Sequence, residues 1–413
     1  MKLDVTRLES VYEMAHDGAQ LAATRFANSL ERDARVRNTR VTFGTQPETA
    51  IDGRSVAVGI DLDGVLDGRC LVEFDESIVA TIQRTLVGGQ LDASDPALGR
   101  SALLEFGAVL NNGFVDGWAD AFDADIDVSP PSIEAADFSQ MQSTDTGPLE
   151  LAFWSQIDTV DHSRAFTHCF VPTADCVERL VSGESGDRTI EASALSGFET
   201  LLENGVASMS DTLTEMTGIE AETPTNRMEF ISLDRLPARV STGRYRSVAF
   251  SFHDTPSGYL LFLFDRDGAT TLVRELFGDS TGNAALARDA IQELANVMTS
   301  SLLDGWANVL ETAIDHSTPA YTEDMGAAVI DPLVVGLSEH QEFAFVFSLQ
   351  LRSSDPPIEL DIYTIPDEDD LLRALRALET KPLEGVAQPP SFTPTEATPT
   401  AFAVGELIES DHP

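Results

Sequence analysis

The chain repeats itself. FGAVLNNGFVDGWADAF (106–122) aligns with LANVMTSSLLDGWANVL (294–310), placing Asp-Gly-Trp-Ala at 116–119 and again at 304–307, an offset of 188 positions. Two further pairs fall near that offset: SVAV at 55–58 against SVAF at 247–250, and DESIVATIQRTLVGG at 75–89 against DRDGATTLVRELFGD at 265–279. A chain of 413 residues holds two such copies and a tail, so any fold assigned to one copy must also suit the other. The copies meet at SGESGDRT (182–189), a small, polar, glycine-containing stretch that reads as a linker. This gives domains at 1–184 and 190–380. From 381 to 413 the chain is rich in Pro, Thr and Ala and reads as a flexible tail, its apolar end AFAVGELI included.

Each copy shows the same order of patterns. A helix with apolar residues at three- and four-residue spacing (about 5–32 and 193–217) precedes a hairpin, VAVGIDL with CLVEF or SVAFSFH with YLLFLF. A short helix (75–88, 265–277), a long helix (98–123, 283–314) and strand-like runs (163–171, 342–351) follow. Helices beside consecutive strands predict an α+β domain with an antiparallel sheet. Each copy also divides into two helix-then-strands halves, a weaker second level of repetition.

Composition narrows the function. Sixty-nine acidic residues against 26 basic ones give a formal net charge of −43, while 42% hydrophobic residues suffice for packed cores. Lys2 and Lys381 are the lysines and the other basic residues are arginine, a bias that resembles proteins of salt-accumulating archaea. Phosphate-backbone and anionic-lipid binding need clustered basic residues, so neither nucleic acid nor membrane is an expected partner. Neither lysine sits in a Gly-Lys-Ser/Thr loop, which excludes a P-loop. Cys70, Cys169 and Cys176 form no CxxC and read as free, buried thiols, and no metal site is expected. No apolar run approaches the roughly 20 residues of a bilayer span, and the N-terminus lacks a signal-peptide core, so a cytoplasmic protein is expected.

On the long helix of copy two, Asp289, Glu293 and Asn296 stand at i, i+4 and i+7 and share one face, while Ile291, Leu294 and Val297 lie off it as a packing side. A carboxylate and a carboxamide one turn apart can bind a cation and orient a water. A bare Glu-x-x-Asn is common by chance, but here Pro319 follows Asn296 after twenty-two residues. Copy one holds the same frame in Ser101, Glu105 and Pro131, with Ala108 at the asparagine position.

The full pattern, D-x3-E-x2-N-x22-P, resembles the signature of the CheC, CheX and FliY family of chemotaxis phosphatases. The first helices fit the frame more loosely: Glu13 is followed by His16, and Thr200 and Glu203 occupy the corresponding places in copy two. The resemblance implies two tandem CheC-like domains over about residues 5–380, each a pseudo-symmetric antiparallel sheet with two long helices, with one site of four complete. It implies as substrate the phospho-aspartate of the response regulator CheY. Asn296 would hold a water in line with phosphorus, Glu293 would pair with the regulator's lysine, and Asp289 and Pro319 would support them. The regulator would bring its own Mg²⁺, so no cofactor of this chain is implied, and CheD is a second candidate partner. The degenerate set Ser101, Glu105, Ala108 and Pro131 should be nearly inert. Loss of three sites in four leaves an alternative, an adaptor that binds response regulators or CheD without hydrolysis.

Other motifs read as structure. Asp61-Leu-Asp63-Gly64 resembles the nucleophile motif of haloacid-dehalogenase-type phosphatases, but the aligned stretch in copy two, HDTPSG, is a turn, so a hairpin is expected. His162, His168 and Cys169 are expected to be satisfied strand side chains, Trp118 and Trp306 core anchors, and Asp367 to Asp370 the first turn of a final helix.

Overall fold

A computed structural model describes residues 1–43, 55–87, 96–135, 149–159, 164–184, 186–240, 243–277, 284–354 and 357–379. The tail read at 381–413 lies outside the described residues. The chain forms two compact units. The N-terminal unit comprises Arg7–Thr39 and Thr45–Ser182, and the C-terminal unit comprises Met1–Thr6, Arg40–Gly44 and Gly183–Pro382.

In chain order the first elements are β1 (Lys2–Asp4), α1 (Val5–Leu30), β2 (Ala34–Phe43), β3 (Ser55–Gly64), β4 (Gly68–Asp75), α2 (Glu76–Val87) and α3 (Pro96–Phe122). After them come β5 (Ile126–Val128), β6 (Ser132–Ala135), β7 (Leu151–Thr159), β8 (Arg164–Pro172) and α4 (Ala174–Val181). The sheet of the N-terminal unit runs β2-β7-β8-β4-β3-β5, with β6 also on β3. Its pairings β3–β4, β4–β8 and β7–β8 are all antiparallel.

The second half repeats this plan. It holds β9 (Thr189–Glu191), α5 (Ala192–Thr217), β10 (Glu222–Ser232), α6 (Leu236–Arg239), β11 (Arg244–Asp254), β12 (Gly258–Asp265), α7 (Arg266–Phe277) and α8 (Ala284–Leu310). It closes with β13 (Ile314–His316), β14 (Ala320–Met325), α9 (Gly326–Leu337), β15 (Phe343–Ser354), β16 (Pro357–Pro366) and α10 (Glu368–Glu379). The strand order is β13-β11-β12-β16-β15-β10, with β14 also on β11. The α+β reading, with antiparallel sheets and two long helices per copy, therefore holds.

The shared Asp-Gly-Trp-Ala is a packing motif. Trp118 and Trp306 are wholly buried, Trp118 among Phe114, Phe153 and Phe170, and Trp306 against Phe252 and Phe347. The glycine before each tryptophan faces the unit's other long helix: a Cβ on Gly117 would lie 2.6 Å from Cα of Gly18 on α1, and one on Gly305 would lie 3.7 Å from Cα of Gly205 on α5. Small residues thus let the paired long helices approach closely. Strand alternation gives the C-terminal sheet two apolar faces. Val346 joins Leu261, Leu263, Ile330 and Leu337 under α9, whereas Phe347 points to Trp306.

Four local expectations need correction. The long helix read at 283–314 ends at Leu310, and the first helix read at 5–32 ends at Leu30. Each stop is followed by a left-handed acidic residue, Glu311 at φ 52° and Glu31 at φ 51°, where no glycine marks the end in the sequence. The stretch read as a linker at 182–189 is tied down: Gly183 N donates to Lys2 O, Val5 N donates to Arg188 O, and β9 pairs antiparallel with β1. His168 is not a satisfied side chain. It is wholly buried, stacks on Phe114 with centroids 3.8 Å apart, and neither ring nitrogen has a partner among the described residues. Desolvation pushes its pKa down to about 3, so the ring is neutral. Cys169 sits in a separate cluster with Ala57, Leu71 and Trp154, so the two residues cannot share an ion. His162 lies outside the described residues.

The readings of the cysteines, of the hairpin and of the final helix hold. All three cysteines are free and buried. Asp61 lies on β3 and pairs with Arg69 across the hairpin at 3.0 Å, and the strand ends at Gly64, whose φ of 115° is the left-handed turn conformation. Asp367 caps α10 by accepting from the backbone N of Asp370 at 3.1 Å. No helix of the described residues is long and apolar enough to cross a membrane.

Candidate active site

Helix α8 is amphipathic in the register expected from its sequence. Ile291, Leu294, Ala295 and Met298 are buried, Val297 is half-buried, Asp289 and Glu293 are exposed, and Asn296 is half-exposed. One apolar stripe therefore anchors the helix and turns the polar triple outward. The side chains of Asp289, Glu293 and Asn296 form no hydrogen bond or ion pair with any other described residue. Polar groups held on a rigid helix with no internal commitment are free to bind something else.

Pro319 comes back to the same helix. After Leu310 the chain turns, β13 pairs with the end of β11, and Ser317 is tied to Ser251 by Ser317 N to Ser251 O (2.8 Å) and Ser251 N to Ser317 Oγ (3.1 Å). Gln292 Nε2 then donates to Pro319 O at 3.2 Å. The motif's proline thus stands beside the turn of α8 that bears Glu293 and Asn296, which accounts physically for a spacing of twenty-two residues. One turn further along, Ser300 Oγ donates to Asn296 O and lies 3.1 Å from His316 Nε2, and His316 packs edge-on against Phe250.

A groove of about 440 Å³ opens next to this face, lined by Ala284, Ala285, Arg288, Asp289, Gln292, Tyr321 and Glu323. The Arg288 guanidinium lies 5.2 Å from the Tyr321 ring centre, and Tyr321 OH donates to Glu323 Oε1 at 2.6 Å. Burial, the acceptor Glu323 and its charge push the Tyr321 phenol up to about 12, so it remains a proton donor at neutral pH. Gln292, Ser300, His316 and Tyr321 were not singled out from sequence. The bonds from Ser300 to His316 and from Gln292 to Pro319 span 16 and 27 residues, beyond the reach of any helical spacing rule.

The copy on α3 keeps its frame open but lacks the amide. Ser101 and Glu105 are exposed, and Ala108 and Pro131 are half-buried. Of the looser first-helix frames, that on α1 is closed. Glu13 is exposed but His16 is buried, bonded through Nδ1 to Thr39 Oγ1 at 3.1 Å and through Nε2 to Gln20 at 3.2 Å. The side chains of Thr200 and Glu203 lie outside the described residues.

Residues 286–322 match the model of the CheC-like family, a segment that contains Asp289, Glu293, Asn296 and Pro319. The resemblance read from the motif is thereby shown. CheC1 of Halobacterium salinarum, assigned by name as a CheY-P phosphatase, is 29% identical over 197 residues, covering 46% of this chain and 98% of its own length. CheC of Bacillus subtilis, a CheY-P phosphatase by name, is 25% identical over 130 residues, or 30% of this chain and 62% of its own. Among solved structures, FliY of Thermotoga maritima superimposes with a TM-score of 0.34 at 17% identity, covering 42% of this chain and 93% of its own.

Proposed function

We propose that the C-terminal unit hydrolyses the phospho-aspartate of a CheY-like response regulator. The observation that carries this reading is the outward, uncommitted pair Glu293 and Asn296 on α8, inside the segment that matches the CheC-like family. The Asn296 carboxamide donates and accepts without charge, so it can enter an anionic phosphoryl pocket and hold a water in line with phosphorus. The Glu293 carboxylate pairs with the regulator's lysine. The regulator supplies its own Mg²⁺, and this chain contributes positioning, which is most of what phosphoryl transfer needs. Asp289 and Pro319 shape the face around the pair. Two acidic proteins repel at long range, but in molar salt the Debye length is about 3 Å and short contacts decide recognition.

The test is dephosphorylation of a phosphorylated CheY-like receiver in molar KCl by wild type and by Asn296→Ala. The expected rate loss is about a hundredfold, and equal rates would remove Asn296 from catalysis. A second reading, binding without hydrolysis, with a receiver or CheD as partner, is favoured for the N-terminal unit by Ala108, which can neither donate nor accept.

A further inference from the structure

Both units build the return after their long helix with the same backbone ties. Ser317 and Ser251 exchange two hydrogen bonds in the C-terminal unit. In the N-terminal unit Ser129 N donates to Asp61 O and Asp61 N to Ser129 Oγ, both at 2.9 Å. The position in register with Gln292 in the N-terminal unit is Leu104, which has no hydrogen-bonding group. The fold thus forms this return without a side-chain tie from the helix, and the bond from Gln292 to Pro319 is an addition made in the copy with the complete motif.

We propose that Gln292 is a positioning residue for the C-terminal site, fixing the Pro319 wall so that a docked phosphorylated receiver presents its phosphoryl group in line with Asn296; this rests on the function proposed above. Arg288 Nε donates to Gln292 Oε1 at 3.1 Å, which turns the amide so that Nε2 faces Pro319 O. Arg288 is itself held over the Tyr321 ring. The two copies show the pairing of these roles. Where Asn296 is replaced by Ala108, Gln292 is replaced by Leu104 and Tyr321 by Ile133, while Arg100, Glu105 and Pro131 keep their identities. The amide and its support are absent together, although the scaffold persists.

The experiment compares wild type, Gln292→Leu, Gln292→Glu and Asn296→Ala in molar KCl, using the CheY-like receiver that the wild type dephosphorylates fastest. Gln292→Glu keeps the side-chain length and the acceptor for Arg288 but cannot donate to Pro319 O. Both Gln292 variants are expected to unfold at the wild-type temperature, to bind the beryllofluoride-activated receiver with wild-type affinity, and to lose about tenfold in kcat. A kcat within about twofold of wild type in either folded variant, or an affinity that falls in parallel with kcat, overturns the proposal. If Asn296→Ala retains full activity, the reading of the site itself has failed, so the two failures are told apart.

Discussion

Two buried glutamates end with pKa values shifted in opposite directions. Glu229, 1% exposed, faces Arg227 at 2.8 Å and Arg40 and Arg239 at 3.3 Å. Desolvation raises its pKa, but the three guanidinium groups outweigh it and hold the carboxyl down at about 2. Glu73 is equally buried, yet its main counterweights are Ser55 Oγ at 2.7 Å and the charge of Arg164, and desolvation wins, pushing it up to about 7. The signs follow from linkage. As pH falls from the ordinary carboxylate value toward 2, the unfolded state takes up the Glu229 proton first, so that contribution to stability is lost. As pH rises toward 7, the unfolded state releases the Glu73 proton first, so stability falls there as well. Glu229→Gln should cost about 3–5 kcal/mol in denaturant unfolding at neutral pH, because three arginines lose their counter-charge. Glu73→Gln should remove the decline between pH 5 and 7, and an unchanged slope would sink that assignment. Neither environment was legible in the sequence: Arg227 shares β10 with Glu229, but Arg40 and Arg239 come from β2 and α6, and Ser55 and Arg164 reach Glu73 on β4 from β3 and β8. Glu293 and Asn296 were legible because their relation is local, fixed by the helical repeat alone.

At the scale of elements, the repeat located the long helices α1, α3, α5 and α8, the short helices α2 and α7 and the hairpins β3–β4 and β11–β12, because two copies must satisfy one pattern. It left out the sheet strands β2, β7, β10 and β16, and the places where local signals are absent. Helices α1, α3 and α8 stop at left-handed Glu31, Asp123 and Glu311, whereas α5 stops at Gly218, the conventional signal, and its end was read correctly. Strands β1, β9 and β13 have three residues each, too few for an alternation to show. Helix α9 carries Pro332 within it, which masks its helical pattern. The two Asp-Gly-Trp-Ala glycines give a prediction at this scale. Ala at 117 would press its methyl onto the α1 backbone at Gly18, so Gly117→Ala should lower stability by about 1–3 kcal/mol. Gly305→Ala meets ordinary van der Waals separation and gains helix propensity, so it should be neutral or stabilising by up to about 1 kcal/mol. Urea midpoints of the two variants, measured side by side, decide the matter.

For the whole molecule, a net charge of −43 makes self-repulsion a global opponent of folding. The unfolding temperature should climb as KCl rises from about 0.2 to 2 M, with most of the gain where the Debye length drops below the spacing of surface carboxylates. A flat response would mean that the acidic surface does not oppose folding. Duplication allows a gain-of-function test as well. In a chain silenced by Asn296→Ala, Ala108→Asn alone should restore little phosphatase activity, and Ala108→Asn with Leu104→Gln should restore more; equal rates would leave the amide as sufficient by itself. The pairing of Lys2–Asp4 with Thr189–Glu191 adds a demand on biosynthesis. Residues 2–4 are translated well before the rest of the unit they join, and at roughly 5–20 residues per second they wait roughly ten to forty seconds for their partner strand. Expression of 190–380 alone would begin past Thr189 and omit the opening strand altogether, so a fragment cut where the repeat suggests should be the less robust one.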